Sequence, residues 1–457
     1  LKDIRRNREL DYDIVGFIDD DPVKKGREIQ GVRVLDRCSS IGPLARLLQI
    51  QLVLIAIPSA SAEQMRSVVE SCQKAAVAFR TLPKVQDILD GTARSTDLRS
   101  VELDDLLGRD PVALDWSSMA KMIHDSKVLI TGGGGSIGSE LCRQVARLGP
   151  KEIILVEQNE FNLYSIGLEV EEKFPSVCVT KLLGDVCDRA AIRFIFDRHK
   201  PEIIFHAAAY KHVPMLQGQI RETVRNNTVG TMIVSEAAIE NSARTMVLIS
   251  TDKAVNPASM MGVSKRLSEM VVQLNNLENR TAFITVRFGN VLGSAGSVVP
   301  LFERQIQAGG PVTVTDREMT RYFMTISEAC QLILQACVLG SGGEIFVLNM
   351  GEPVNIDYLA RQMIRFSGKI PEEEIAIEYT GLRAGEKLTE ELFHADESLA
   401  ETAYEKILLA ASRSIEADRL RQGLVEIESA CSQYDYERVR TIATNLVPES
   451  FGSGDER

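Results

Sequence analysis

Thr131-Gly132-Gly133-Gly134-Gly135-Ser136-Ile137-Gly138, entered from the apolar run Val128-Leu129-Ile130 and followed by helical periodicity from Ser139 to Leu148, decides the fold. A strand that turns through glycines into a helix lets the backbone approach a pyrophosphate, and the helix amino terminus adds N–H donors and a favourable dipole. Gly132, Gly135, Ser136, Ile137 and Gly138 are therefore expected to hold a dinucleotide. Further strands are expected at Glu152 to Val156, Val177 to Leu183, Glu202 to Phe205, Met246 to Ile249 and Ala282 to Val286, with helices such as Phe161 to Phe174 and Arg189 to His199 between them. Such alternation implies an α/β fold, a Rossmann-type doubly wound parallel sheet covered on both faces.

The strand ends carry the next signals. Glu157 closes the second strand about 20 residues beyond the glycines, where a carboxylate meets the adenosine ribose hydroxyls. Gln158 and Asn159 come next, with no arginine to pair with a 2′-phosphate, which favours NAD over NADP. Asp185 and Val186 lie after the third strand, and the small residues Ala207, Ala208 and Ala209 after the fourth, leaving room for the cofactor. His206 before them suits a buried structural role at least as well as a chemical one.

With 457 residues, 44% hydrophobic and 25% charged, the chain can bury substantial cores in two or three domains. A net charge of −12 with no lysine/arginine tract argues against nucleic acid as a partner. Eight cysteines show no C-x-x-C pair and no zinc-like spacing, so no metal is expected and the thiols should be reduced. No apolar run reaches the roughly 18 to 20 residues of a membrane span.

Residues 1–95 read as the later part of a Rossmann-like module, with strands at 13–18, 51–57 and 78–82 and a helix at 62–74. Its first strand and glycine turn would precede Leu1, which itself reads as mid-helix, so the chain is expected to be a fragment. The acidic run Asp19-Asp20-Asp21 reads as a solvated turn. Residues 96–125 form a linker expected to pack on the next domain, and 126–400 hold that cofactor-binding domain with a smaller substrate-binding lobe after Asn290. Residues 401–457 are expected to be helical around 415–431 and 434–445, with a disordered tail from Glu449.

The glycine turn, Tyr210-Lys211-His212-Val213-Pro214, Asn226-Asn227-Thr228-Val229-Gly230-Thr231, Ser250-Thr251-Asp252-Lys253 and Met261-Gly262-Val263-Ser264-Lys265 occur in that order. Together they resemble extended short-chain dehydrogenases acting on nucleotide sugars, and more narrowly the long, membrane-anchored UDP-N-acetylglucosamine 4,6-dehydratases of bacterial polysaccharide biosynthesis. The resemblance covers nearly the whole chain. It implies a homo-oligomer on the cytoplasmic side of the inner membrane, anchored by transmembrane helices absent from this chain. Further matches are Arg287 to Ser294, Thr320 to Met324 and Gly381 to Lys387. By similarity, Asn290, Arg321 and Arg383 would bind the UDP portion, Glu386 a uridine ribose hydroxyl, Lys211 the substrate, and Asn227 the cofactor.

Met261 stands where short-chain dehydrogenases carry the tyrosine of a Y-x-x-x-K pair, and a thioether exchanges no proton. Methionine at that position is usual in the long branch of the resembled family. Acid/base work then falls to the neighbouring titratable groups. Asp252 is expected to protonate a departing C6 hydroxyl, and Lys253 to take the C5 proton as an amine that burial discharges near neutral pH. Thr251 would bond the C4 oxygen, Lys265 the nicotinamide ribose, and Met261 would only shape the pocket. An epimerase, or a sensor that binds NAD and a nucleotide sugar without turnover, are the competing readings.

Overall fold

The computed structural model describes residues 12–57, 60, 62–83, 98–99, 101, 105, 114–394, 397–411 and 413–451. The start of the chain, Gly108, Pro111 and residues 452–457 lie outside them. The chain divides into two compact units, residues 1–111 with 362–371, and residues 112–361 with 372–457.

In the first unit, β1 (Phe17–Ile18), β2 (Glu28–Ile29) and β3 (Val32–Asp36) form one small sheet, after which comes helix α1 (Ile41–Leu47). Then β4 (Leu52–Ile55) pairs in parallel with β5 (Ala78–Thr81) across helix α2 (Ala62–Lys74). Ile41, Ile55, Val69 and Cys72 form the core. The acidic run is a turn whose carboxylates bind locally: Asp19 accepts from Lys24 Nζ at 2.8 Å, Asp20 from the Cys38 N–H at 2.8 Å and Asp21 from the Val23 N–H at 2.9 Å. Only Phe17–Ile18 of the expected strand 13–18 is extended in a sheet.

The second unit opens with helix α3 (Trp116–Ile123), capped by the Asp115 carboxylate on the Ser118 N–H. Its Met119 and Ile123 are buried among residues of the main sheet. Alternation then delivers β6 (Lys127–Thr131), α4 (Ser136–Arg147), β7 (Glu152–Glu157), α5 (Glu160–Lys173), β8 (Cys178–Leu183), α6 (Arg189–His199) and β9 (Ile203–His206). Next come α7 (Gly230–Glu240), β10 (Thr245–Ile249), α8 (Met260–Asn276) and β11 (Ala282–Arg287). Neighbouring residues on one strand feed opposite cores: Leu129 packs with α6, α7 and α8, whereas Val128 and Ile130 pack with α3, α4 and α5. That two-sided burial is why the strands are apolar without alternation.

Beyond Asn290 the chain does more than form short elements. Strand pairs β12 (Asn290–Val291) with β15 (Phe323–Met324), β13 (Val312–Val314) with β18 (Ile377–Tyr379), and β14 (Thr320–Arg321) with β17 (Val354–Asn355) build the lobe. Between them β16 (Ile345–Leu348) returns to the main sheet, as do β19 (Leu399–Glu401) and β20 (Ile407–Ala410). The nine-stranded order is β19-β20-β16-β11-β10-β9-β6-β7-β8, with the β16–β20 and β19–β20 pairings antiparallel. These three strands are four residues or fewer, too short for a clear sequence period. Helix α9 (Ile326–Leu339) covers one face, and α10 (Ala417–Ser432) with α11 (Tyr436–Leu446) completes the core on the other. The expected disordered tail is corrected at its start: Glu449 accepts from Arg413 Nη1 at 3.0 Å and Arg266 Nε at 3.2 Å, and the Phe451 N–H bonds the Pro257 carbonyl.

All eight cysteines are free, five of them buried. Among the described residues no helix is long and apolar enough to cross a membrane, and no His/Cys/Asp/Glu group could hold a metal ion.

Candidate active site

The chain crosses from one side of β6 to the other between β8 and β9, and in such sheets the crevice lies beyond the carboxyl ends of the strands at that switch. The loops there approach too closely for side chains. Gly132 has φ +65°, and a Cβ on it would stand 2.8 Å from the Ala208 backbone. A Cβ on Gly138 would meet the Gly132 carbonyl at 2.0 Å. The result is a cleft with room for about 180 Å³ of solvent, lined by Gly132, Gly135, Glu157, Val186 and Ala207 to Ala209, all anticipated. Tyr210 and Asn226, named within their motifs but not as cofactor residues, also line it. Asn226 lies on the π-helical turn 225–229, a local geometry invisible in a sequence period.

Other anticipated cofactor residues support the cleft without lining it. Ser136 Oγ accepts from the Ala295 N–H at 3.2 Å, and Ile137 packs into the core beneath. Asp185 accepts from the Cys187 N–H at 2.8 Å and from Arg225 Nη2 at 3.0 Å. Asn227 is buried, and its amide clamps both polar groups of the Tyr210 backbone, at 2.8 and 3.0 Å. Glu157 accepts from the Gly134 and Asn159 N–H groups at 3.1 and 2.9 Å, which fixes its carboxylate at the cleft wall. His206 is structural: it bridges Thr131 Oγ1 at 2.7 Å and Thr231 Oγ1 at 3.0 Å, and burial drops its pKa to about 3.

The second cluster lies just after β10, next to β9 in the sheet. Asp252 is fully buried; its Oδ1 accepts from Thr251 Oγ1 at 2.8 Å and Lys253 Nζ at 2.9 Å, while Oδ2 has no hydrogen-bond partner. Lys253 Nζ also donates to Asn290 Oδ1 at 3.1 Å and lies 3.7 Å from Glu390 Oε1. Burial alone would discharge this lysine, but Asp252 and then Glu390 outweigh it and raise its pKa. The expected neutral Lys253 is thus corrected for the free chain: it is an ammonium, because two carboxylates surround it. The lysine whose pKa falls is instead Lys265, which burial lowers to about 8, Glu269 opposing; its Nζ bonds the Ile249 carbonyl at 2.7 Å. Met261 is buried in an apolar group with Val213 and Leu216.

Residues 128–412 match the family described as polysaccharide biosynthesis protein. The chain belongs to that family. Residues 1–83 match a CoA-binding domain family. Among its relatives, the capsular polysaccharide biosynthesis protein CapD of Staphylococcus aureus is 44% identical over 89% of this chain and 68% of its own. An inverting UDP-N-acetylglucosamine 4,6-dehydratase of Campylobacter jejuni is 33% identical over 61% of this chain and 80% of its own. In structure, Pen from Bacillus thuringiensis superposes with a TM-score of 0.59 at 33% identity, covering 64% of this chain and 90% of that one.

The residues expected to bind substrate are placed unequally. Asn290 bonds the Lys253 ammonium. Arg383 and Lys211 are exposed, and Glu386 caps the Arg383 N–H at 3.3 Å. Arg321 has little left for a diphosphate: Nη1 donates to the Thr320 and Leu388 carbonyls at 2.7 and 3.0 Å, and Nη2 to the Lys387 carbonyl at 2.8 Å. Glu390 was missed; its only sequence signal is its position three residues after the Gly381 to Lys387 motif.

Proposed function

We propose that the chain is an NAD-dependent nucleotide-sugar 4,6-dehydratase that converts UDP-N-acetylglucosamine to the UDP-4-keto-6-deoxy sugar. The observation that carries this reading is the hydrogen-bonded Thr251-Asp252-Lys253 cluster at the carboxyl edge of the sheet, with methionine where a phenol would stand. The glycine turn, which a Cβ would fill, fits a pyrophosphate, and Glu157 at the cleft wall fits ribose hydroxyls. Gly132, Gly135, Glu157, Val186, the Ala207–Ala209 loop and Lys265 would hold NAD. Bound there, NAD supplies reversible hydride acceptance.

The chain's own residues then handle protons. Oxidation at C4 acidifies the C5 proton, and water leaves across C5 and C6. Lys253 must present an amine and Asp252 an acid for that elimination. One proton passed from Nζ to Oδ1, across their 2.9 Å contact, creates both forms at once. After elimination Lys253 holds the C5 proton and Asp252 has given its own to water, so the pair is an ion pair again. Lys253 returns a proton to C5 as C6 is reduced, and the proton from the C4 hydroxyl balances the one lost in water. Thr251 orients the C4 oxygen, and Lys265 holds the nicotinamide ribose. Arg383, Glu386, Asn290 and Lys211 would hold the UDP-sugar, with Arg321 as a strut.

Incubation with UDP-N-acetylglucosamine and NAD in heavy water, read by mass spectrometry and NMR, tests the reading. Loss of one water with deuterium at C5 is expected. An isobaric product identifies an epimerase, and an unchanged sugar beside bound NAD identifies a sensor.

A further inference from the structure

The site holds an anion that no step of the dehydration uses. Glu390 is 5% exposed, and its Oε1 lies 3.7 Å from Lys253 Nζ and 3.9 Å from Arg321 Nε. A carboxylate enclosed this far is costly unless cations compensate it, and among the described residues these two are the cations within reach.

We propose that Glu390 is a positioning residue of this active site: anchored by Arg321, it holds the Lys253 ammonium together with Asp252 and so sets the aim and charge of the amine that works at C5. The inference rests on the dehydratase reading for what that amine does.

Three features carry it. Lys253 Nζ donates to two acceptors, Asp252 Oδ1 at 2.9 Å and Asn290 Oδ1 at 3.1 Å, and faces a third oxygen, Glu390 Oε1, at an ion-pair distance of 3.7 Å. Those acceptors come from three separate segments, so the amine's direction is fixed by the fold and not by its own four-carbon stem. Second, Arg321 anchors Glu390 twice over. Its guanidinium faces the carboxylate, and its bonds to the Lys387 and Leu388 carbonyls pin the backbone just before it. The Thr320 N–H bonds the Leu388 carbonyl as well, and Thr320 and Thr389 hydroxyls meet at 3.1 Å. Third, Asp252 and Glu390 balance Lys253 and Arg321, so the cluster around the amine is neutral overall. Removing one carboxylate leaves two cations against one anion, and the lysine is the member that can shed its charge.

The test measures Lys253 directly. Acetic anhydride acylates only the free amine, so its pH dependence at Lys253, read by peptide mass spectrometry, gives the titration midpoint without substrate and stays readable even if the sugar is never turned over. Glu390→Gln should lower that midpoint by about one pH unit relative to the parent. Glu390→Asp, which keeps the charge but retracts it, should fall between the two and remains informative if the glutamine variant does not fold. With UDP-N-acetylglucosamine, the acid limb of the kcat profile should move in the same direction, whereas a purely structural residue would lower kcat equally at every pH. A Lys253 midpoint unchanged from the parent in either variant overturns the proposal.

Discussion

Arg287 and Glu269 form a two-pronged ion pair with no solvent contact, Nε to Oε1 at 2.7 Å and Nη2 to Oε2 at 2.7 Å. Ser250 Oγ donates to the same carboxylate at 2.7 Å, so the pair ties the end of β11 to the residue that opens the Thr251-Asp252-Lys253 cluster. Burial would raise the Glu269 pKa, but the Arg287 guanidinium overrides it and, with Arg266 and Ser250, brings it to about 2. Because the folded value lies below the ordinary 4.5, the stabilisation is complete above that pH and is lost as pH falls toward 2. Arg287→Ala takes the two-pronged partner from Glu269, leaving it Arg266 and Ser250, and removes the guanidinium from buried Glu397 as well, so about 3–5 kcal/mol of stability should be lost at neutral pH. Urea titrations of parent and variant at pH 7 check this; a loss under about 1 kcal/mol would show that the pair is not holding the sheet edge.

Lys265 gives a pH signature of the same sense in a higher window. Its folded pKa of about 8 lies below the ordinary 10.5, so between those values the unfolded chain binds a proton that the folded chain has released. This residue therefore makes stability rise with pH across that window. Thermal midpoints of Lys265→Met should climb less steeply from pH 8 to 10 than those of the parent. Parallel curves would mean that Lys265 titrates normally.

The glycine turn discriminates between positions. Gly138→Ala drives a Cβ into the Gly132 carbonyl at 2.0 Å, and NAD affinity by calorimetry should fall at least about tenfold as the turn shifts. Gly133→Ala meets only a Leu155 side-chain carbon at 3.2 Å, which can give, and should bind within a few-fold of the parent. Equal losses in both would remove the steric argument.

Lys253→Ala should abolish product while leaving NAD binding near the parent value, since its contacts are Asp252, Asn290 and Glu390, not the glycine cleft. Met261→Leu should keep turnover within a few-fold, because the thioether only fills an apolar group and such swaps usually cost under about 1.5 kcal/mol. Turnover by the alanine variant, or a dead leucine variant, would reassign the proton chemistry.

The doubly wound sheet was legible in the chain because β6, β7, β9, β10 and β11 are buried and mostly apolar, the edge strand β8 being the exception, and because Gly132 to Gly138 mark the turn into α4. The return of Ile345–Leu348, Leu399–Glu401 and Ile407–Ala410 to that sheet was not, since such short runs read alike in a lobe or a core. Glu157, Val186 and the Ala207–Ala209 loop could be assigned to the cleft from their places at strand ends. Tyr210 and Asn226 could not, because a π-helical turn and a backbone clamp by Asn227 aim the segment.

Local chemistry in the sequence determined which groups could move protons here: an aspartate and a lysine side by side, a methionine that cannot, and a glycine turn shaped for a diphosphate. Only the tertiary structure decided their charge and partners. Bringing Glu390, anchored by Arg321, from a distant segment to Lys253 adds its charge to that of Asp252, and the two carboxylates keep as an ammonium an amine that burial alone would discharge, because electrostatic energy grows as charges approach in space and as the interior dries.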